Sequence, residues 1–285
     1  MRNPLSALFI AAFVATPVAS FAESGPLRIE EGLGASVNGL GVQNTLEVSV
    51  RRSLFADPRP LLSQNHFSAG VIHSVTPAYT RLAGYVEISP LSIVDLRGGY
   101  ERSAYFGTFG SIQSFSSYTD RFGDDARDLG KAGAKSSGAS RFFLSPSLRM
   151  KVGSTVAAAS ADFEWWHANA AGPMFYEPAR DTLLRADHDR AMVTTAYLMR
   201  LRDLGGRGRM GYGVRHSLTY VFDAPGNKSQ RIGIVAFREF GDRRFGLRAP
   251  RVSGHVSYYL DDPNRRGQIC AGLSLGFDLL ARGSR

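Results

Sequence analysis

The segment Phe142–Val152, FFLSPSLRMKV, decides the fold because apolar and polar side chains alternate along its eleven residues. Its even-numbered positions are all apolar, and the odd ones after Phe143 are Ser, Ser, Arg and Lys. Successive side chains on a β-strand point to opposite faces, so the pattern predicts a strand with one apolar face and one polar, charged face. The same alternation returns near the C-terminus, over residues 268–279.

The first 22 residues, MRNPLSALFIAAFVATPVASFA, have the organisation of an export signal. Arg2 supplies the positive start, Leu5–Val14 the apolar stretch, and Ser20-Phe21-Ala22 the small residues of a cleavage site. A membrane anchor is the alternative, but the apolar stretch is short and Pro17 interrupts it. We therefore predict a signal peptide over residues 1–22 and a single domain over residues 23–285.

Composition excludes several classes of protein. Lys and Arg number 34 against 25 Asp and Glu, which gives a net charge of +9. A basic surplus can indicate nucleic-acid binding, but an exported protein is separated from the nucleic acid of the cell. Basic groups that meet lipopolysaccharide phosphates, or that line an anion-attracting lumen, fit an exported protein better. Cys270 is the only cysteine of the sequence, so no intramolecular disulfide can form. No metal-ligand spacing and no phosphate-binding loop appears, and we expect no cofactor.

The alternating segments predict about ten strands, with eight to twelve possible. Residues 23–40 are polar and glycine-rich and are predicted to be a periplasmic lead-in. Residues 66–88 are predicted to be one long strand, bulged at Pro77 because proline cannot donate to a strand ladder. The predicted strands are 45–54, 66–88, 91–107, 138–152, 155–168, 182–202, 209–222, 230–241, 249–260 and 267–280.

The connections between these strands alternate between two sides. The longer ones, 55–65, 108–137, 169–181, 223–229 and 261–266, fall together on one side, and short turns fall on the other. Long external loops and short periplasmic turns are typical of membrane barrels. Loops 108–137 and 169–181 are accordingly predicted to be extracellular. A girdle of aromatic side chains is predicted near this side, at Tyr100, Phe106, Phe142, Trp165, Tyr220 and Phe222.

These features resemble the outer-membrane β-barrel proteins of Gram-negative bacteria as a broad class. The resemblance implies an all-β fold, an antiparallel up-and-down transmembrane β-barrel located in the bacterial outer membrane. It also implies contact with outer-membrane lipid, lipopolysaccharide and the barrel-assembly machinery. Such proteins usually end in a strand whose last residue is aromatic, whereas here Phe277 is followed by eight further residues. The oligomeric state stays open.

The polar faces of the predicted strands carry many charges, which must face the interior because a charge on the lipid side costs about 2–4 kcal/mol at mid-depth. The basic residues predicted to face inward are Arg51, Arg81, Arg97, Arg141, Arg149, Lys151, Arg200, Arg202, Arg209, Arg215, Arg231 and Arg251. The acidic residues predicted to face inward are Glu47, Glu87, Asp95, Glu101, Asp162, Glu164, Glu239 and Asp278. Arginines and carboxylates could interlock and fill the lumen, or they could line a narrow channel that favours anions.

The sequence offers little support for a lipid hydrolase or a calcium site. Outer-membrane lipid hydrolases use a sequence resembling His-x-Ser-Asn, but His167-Ala168-Asn169 lacks the serine. His216 and Ser217 are adjacent and should point to opposite faces of their strand. The aspartates between residues 120 and 128 fit no calcium loop. We therefore predict a non-enzymatic barrel, structural or a narrow, possibly anion-preferring passage for small solutes. The alternatives are a lipid-modifying hydrolase and a surface binding protein acting through its long loops.

Overall fold

The computed structural model describes residues 27–38, 41–107, 112–130, 135–224, 226–241, 243–244 and 247–281. The predicted signal peptide, and residues 108–111 and 131–134 of the first long loop, lie outside the described residues. The elements, in chain order, are β1 (Leu27–Val37), β2 (Val42–Arg52), β3 (His66–Val75), β4 (Tyr79–Leu91), β5 (Val94–Tyr105), β6 (Ser114–Phe115), α1 (Asp124–Gly130), β7 (Ser137–Val152), β8 (Thr155–Ala168), β9 (Met174–Glu177), β10 (Thr182–Arg185), β11 (Asp189–Asp203), β12 (Arg209–Val221), β13 (Lys228–Glu239), β14 (Arg243–Arg244), β15 (Leu247–Asp261) and β16 (Ile269–Ala281). No helix among the described residues is long and apolar enough to cross a membrane.

Within the described residues, twelve strands form a closed antiparallel barrel. Going round it, the order is β1, β2, β3, β4, β5, β7, β8, β11, β12, β13, β15 and β16, and β16 pairs with β1 to close the cylinder. Barrel strands that follow one another along the chain are neighbours, so the topology is up-and-down. The predicted all-β antiparallel barrel is confirmed, with two strands more than the ten expected.

The first additional strand is β1, in the segment predicted to be a lead-in. It pairs with β2 on one side and with β16 on the other. Its outward face carries Leu27, Leu33 and Val37, all exposed. The sequence does not alternate clearly here, because Glu31 interrupts this outward face and glycines occupy much of the inward one. The lead-in prediction is therefore wrong for residues 27–37, which complete the barrel.

The second additional strand comes from residues 66–88, which form a hairpin and not one bulged strand. Thr76, Pro77 and Ala78 make the turn between β3 and β4. The hydroxyl of Thr76 accepts hydrogen bonds from the backbone N–H groups of Ala78 and Tyr79, both at 3.1 Å. A threonine side chain that bonds to the backbone just ahead of it favours a turn over a continued strand.

The extra strands change the side on which one connection lies. Residues 53–65 share an end of the barrel with the short turns at 92–93 and 153–154, and not with the long loops as predicted. We call this the turn end and the opposite one the loop end. The segment 53–65 is held by Asn65, whose side-chain oxygen accepts hydrogen bonds from the backbone of Leu54 and Phe55, both at 2.9 Å.

The outer wall of the barrel is apolar. Exposed leucine, isoleucine, valine and phenylalanine side chains occur on strands all round the cylinder. The six residues of the predicted girdle also face outward. Tyr100, Phe142 and Trp165 are register neighbours on β5, β7 and β8, and the Tyr100 and Phe142 rings lie 4.8 Å apart. Tyr220 and Phe222 meet edge to face at 5.5 Å.

The second long loop folds back over the barrel. Its strands β9 and β10 form a hairpin, and β6 from the first long loop adds a third strand. Phe175 and Leu184 of this hairpin are fully buried against Tyr79, Tyr105 and Trp166, which line the inside of the barrel wall. The loop end therefore contains a hydrophobic core of its own, above a polar lumen.

Candidate functional site: the barrel lumen

The lumen holds a cavity of about 480 Å³ below the hairpin. It reaches from Arg28 and Arg149 near the turn end to Tyr79 and Arg180 near the loop end. Twelve of the residues predicted to face inward line it: Glu47, Arg51, Arg81, Glu87, Asp95, Arg97, Glu101, Arg141, Arg149, Asp162, Glu239 and Arg251.

The other predicted inward residues take different positions. Glu164, Arg209, Arg215, Arg231 and Asp278 lie on inward-facing positions of their strands. Lys151 lies at the turn end of β7, where it is exposed. Arg200 and Arg202 were predicted wrongly: they are exposed on the outer wall at the turn end of β11, opposite the outward-facing Tyr212 and Met210. A long cation close to the end of a strand can extend past the apolar wall, which explains how the outer face accepts them.

In the half of the lumen nearer the turn end, ion pairs and hydrogen bonds join side chains on the strands from β2 to β7. The Nε of Arg97 bonds to Glu87 at 2.8 Å, and the ring of His66 contacts the same carboxylate at 3.0 Å. Arg51 contacts the other ring nitrogen of His66 at 2.8 Å. Charged groups that are partnered in this way hold their side chains in fixed positions along the wall.

A second network lies at the loop end around Glu164, whose side chain is fully buried. This carboxylate contacts the guanidinium groups of Arg141 and Arg180 and accepts a hydrogen bond from the indole N–H of Trp166 at 2.9 Å. Arg141 also bonds to Glu101 at 3.0 Å. Arg180 belongs to the turn of the hairpin, so this network ties the hairpin to the inner face of β7 and β8.

Two further carboxylates hold the hairpin in the mouth of the barrel. Glu177 is fully buried and contacts both Arg81 and the hydroxyl of Tyr105 on the inner wall. On the opposite side Asp181 accepts a bond from Arg265 at 2.5 Å, and Arg265 lies in the connection between β15 and β16. The hairpin thus spans the mouth from β4 and β5 to the β15–β16 connection.

The turn of the hairpin also fits its sequence. Asp181 has φ of 48°, in the left-handed region that aspartate tolerates better than most residues. Its carboxylate accepts a hydrogen bond from the Tyr176 hydroxyl at 2.6 Å and lies 3.6 Å from Arg127 of α1. Burial alone would raise the pKa of Asp181, but Arg265 and Arg127 outweigh burial and hold that pKa below its ordinary value.

Comparison with solved structures returns porins. The NanC porin covers 87% of this chain and 98% of its own at 8% identity, with a TM-score of 0.39. A triple mutant of the Rh. blastica porin covers 89% and 99% at 11% identity, with a TM-score of 0.28. No protein-family model and no curated protein matches the chain. TM-scores this low give no indication of function, which has to be inferred from the geometry of the barrel itself.

A closed antiparallel cylinder with an apolar outer wall and a charged interior is the arrangement of outer-membrane barrels. The chain has the fold of the outer-membrane β-barrel class. Most of the charged side chains that face the lumen are predicted from the sequence, but the residues that hold the hairpin in the mouth of the barrel are not. Those residues are Glu177, Arg180, Asp181 and Arg265. One signal was available, because the predicted external loop contains the apolar residues Met174, Phe175 and Tyr176.

The features that would mark a hydrolase or a metal site are not brought together. His216 faces outward and contacts Gln230 at 2.9 Å, whereas Ser217 faces inward, as predicted. The His167 ring contacts the backbone oxygen of Asp187 at 2.6 Å. No group of three His, Cys, Asp or Glu side chains suited to a metal ion occurs among the described residues.

We predict that acid releases the hairpin of this barrel. Because the folded-state pKa of Asp181 is depressed, its contribution to stability is complete above the ordinary aspartate value and is lost as pH falls through the folded-state value. The hairpin should therefore resist pepsin at about pH 4 and be cleaved at lower pH. The Asp181→Asn variant should already be cleaved at about pH 4. Equal cleavage of both proteins at that pH would contradict the assignment.

Proposed function

We propose that this protein is an outer-membrane barrel that gives small solutes a narrow, anion-preferring passage. The observation that carries the proposal is the cavity of about 480 Å³ in a lumen lined by arginine and carboxylate side chains. Side chains nearly fill barrels of about eight strands, and diameter grows with strand number, so twelve strands leave room for water beside them. Arg215 and Arg231 also face inward, on β12 and β13, whose inward positions between Gly211 and Phe237 carry no Asp or Glu, and this supports a preference for anions.

The hairpin has a definite role in this proposal. It lies across the loop end of the lumen, and its residues Ala179 and Arg180 border the cavity. We propose that it sets the narrowest width of the passage and limits the size of the solute. The ionic contacts of Glu177, Arg180 and Asp181 hold it in position. Its release would widen the path without disturbing the strand pairing of the barrel.

The proposal is tested by conductance in planar lipid bilayers. The folded chain should give small, discrete single-channel steps, and a salt gradient should give a reversal potential of the sign for anions. Heat-unfolded protein in the same detergent is the control. If a preparation that keeps its heat-modifiable mobility on gels gives no steps, the barrel does not form a passage and the proposal fails.

A further inference from the structure

The outer wall of the barrel carries a group of cations at the turn end of β11 to β13. Arg200 and Arg202 are exposed on β11, and Arg238 is half-buried on β13. The strand register places Met210 of β12 opposite both Arg202 and Arg238, so these two arginines lie in one row across three adjacent strands. Neighbouring strands are about 5 Å apart, and side chains as long as arginine can therefore reach a common ligand from either side of β12.

These cations lie where the apolar band of the outer wall ends. On β11, Arg190 lies near the loop end and Arg200 ten residues later, and the outward positions between them carry Met, Thr, Ala and Leu. Ten residues of a strand tilted by about 40° span about 25 Å along the barrel axis, which is the height of the apolar band of outer-membrane barrels. Arg200 and Arg202 are therefore at the level of lipid head groups.

No carboxylate among the described residues forms an ion pair with Arg200 or Arg202. The acidic side chains near them on the turn end lie at inward-facing positions and have other partners. Glu239 accepts a hydrogen bond from Arg209 at 2.7 Å, and Asp203 accepts one from a backbone N–H of the turn that follows it, at 2.8 Å. The guanidinium groups of Arg200 and Arg202 are thus exposed on the outer wall and able to donate to an external anion.

Arg238 is held in position beside this pair. It donates a hydrogen bond to the backbone oxygen of Arg207 at 2.7 Å, and its guanidinium carbon lies 5.3 Å from the ring of Phe240. The side chain of Arg207 is itself exposed in the turn between β11 and β12. The turn therefore adds a fourth cation to the same part of the wall, and it orients Arg238 through a backbone contact that uses a single guanidinium nitrogen.

The wall next to these cations is apolar and exposed. Leu198, Val214 and Ile234 face outward on β11, β12 and β13, and Tyr212 lies opposite Arg200 on the same face. A tyrosine at this depth is typical of the boundary between hydrocarbon and head groups. The cations and the apolar side chains together form a continuous surface, charged at the turn end and apolar toward the middle of the barrel, that matches a lipid with a charged head group and acyl chains.

Guanidinium groups present planar, forked N–H donors that match the oxygens of a phosphate group. We propose that Arg200, Arg202 and Arg238 bind the phosphate of an anionic phospholipid whose acyl chains lie against the adjacent wall. A water-soluble acidic partner fits less well, because the cations are on the lipid-facing side of their strands. The site lies outside the lumen, so its test does not depend on whether the barrel conducts.

Lipid binding can be measured by calorimetry on the full chain in a nonionic detergent at low ionic strength. The probe is dihexanoyl phosphatidylglycerol, a short-chain anionic lipid. Dihexanoyl phosphatidylcholine, which has the same chains but no net charge, should bind more weakly. The variant Arg200→Gln with Arg202→Gln should weaken binding of the anionic lipid about tenfold or more, the loss expected when charge-assisted hydrogen bonds are removed. The double lysine variant, which keeps both charges, should bind better than the glutamine variant.

The matched control removes two cations of the outer wall that lie on other strands, as Arg52→Gln with Arg102→Gln. It changes the net charge equally and should bind the anionic lipid as the unmodified chain does. Heat-modifiable mobility on gels checks that each variant is folded. Unchanged binding in the glutamine variant of Arg200 and Arg202, or equal weakening in the control, would overturn the inference. Inorganic phosphate is titrated separately, and binding as tight as that of the lipid would also overturn it, since the apolar wall would then contribute nothing.

Discussion

Single-channel conductance is expected to rise several-fold when the hairpin Met174–Arg185 is replaced by a short Gly-Ser linker. The deletion is feasible because the backbone N–H of Ala186 bonds to the carbonyl of Pro173 at 2.8 Å, so the cut ends already lie together. The hairpin occupies the mouth of the barrel, and its removal exposes the full width that twelve strands allow. Bilayer recordings of both proteins at the same salt concentration measure the change.

The control for this deletion is Asp187→Asn in the same loop, because the Asp187 side chain is 72% exposed. This variant should conduct as the unmodified chain does. Strand pairing should survive the deletion, since the barrel ladders do not include β9 or β10. An unchanged conductance in a deletion variant that stays heat-resistant would mean that the hairpin does not limit the passage.

The largest loss of stability is expected from Glu164→Ala. Its carboxylate has no exposed surface and faces two guanidinium groups, and the Arg180 side chain is itself 8% exposed. Removing one partner of a buried ion pair leaves the other charge buried without compensation, at a cost of about 3–5 kcal/mol. The free energy of unfolding in urea should fall by that amount. Trp166 donates to Glu164 and provides a fluorescence signal beside the substitution.

Asp162→Ala is the matched control for that measurement. Asp162 lies two residues earlier on the same face of β8, but it lines the cavity, where water can solvate the carboxylate. Its removal should change the free energy of unfolding by less than about 1 kcal/mol. Similar losses in the two variants would show that burial of Glu164 does not strengthen its ion pairs, and would remove the argument that the network holds the hairpin in place.

The alternation of Phe142–Val152 predicted β7 well, because lipid-facing and lumen-facing positions differ sharply in polarity there. The same argument failed at residues 66–88 for a definite reason. Outward side chains are odd-numbered before Pro77, as at Val71, and even-numbered after it, as at Leu82. A one-residue bulge reverses the faces in the same way as the three-residue turn that is present. Sequence periodicity therefore could not distinguish one strand from two.

The sequence predicts the charged residues on the wall of the lumen, but it does not predict the hairpin that covers the loop end. Charges such as Arg97 and Glu87 had to face inward because lipid rejects them, and that reasoning needs no knowledge of their partners. The pairing of Glu177 with Arg81 joins residues 96 positions apart. It depends on a loop that turns back into the barrel. The buried residues Phe175 and Leu184 indicate that this loop needs an apolar partner, but the sequence does not say which surface supplies it.

The pairing of β1 with β16 has a consequence for how the cylinder is completed. Arg28 of β1 lies 3.9 Å from Asp278 of β16, and the side chain of Asn38 donates to the backbone of Ile269 at 2.6 Å. The ladder that joins the two ends of the chain can form only after the last strand has been made. A chain truncated before residue 269 would keep two open edges, each a template for pairing with other molecules. Aggregation of such truncated chains would follow directly from the missing seam.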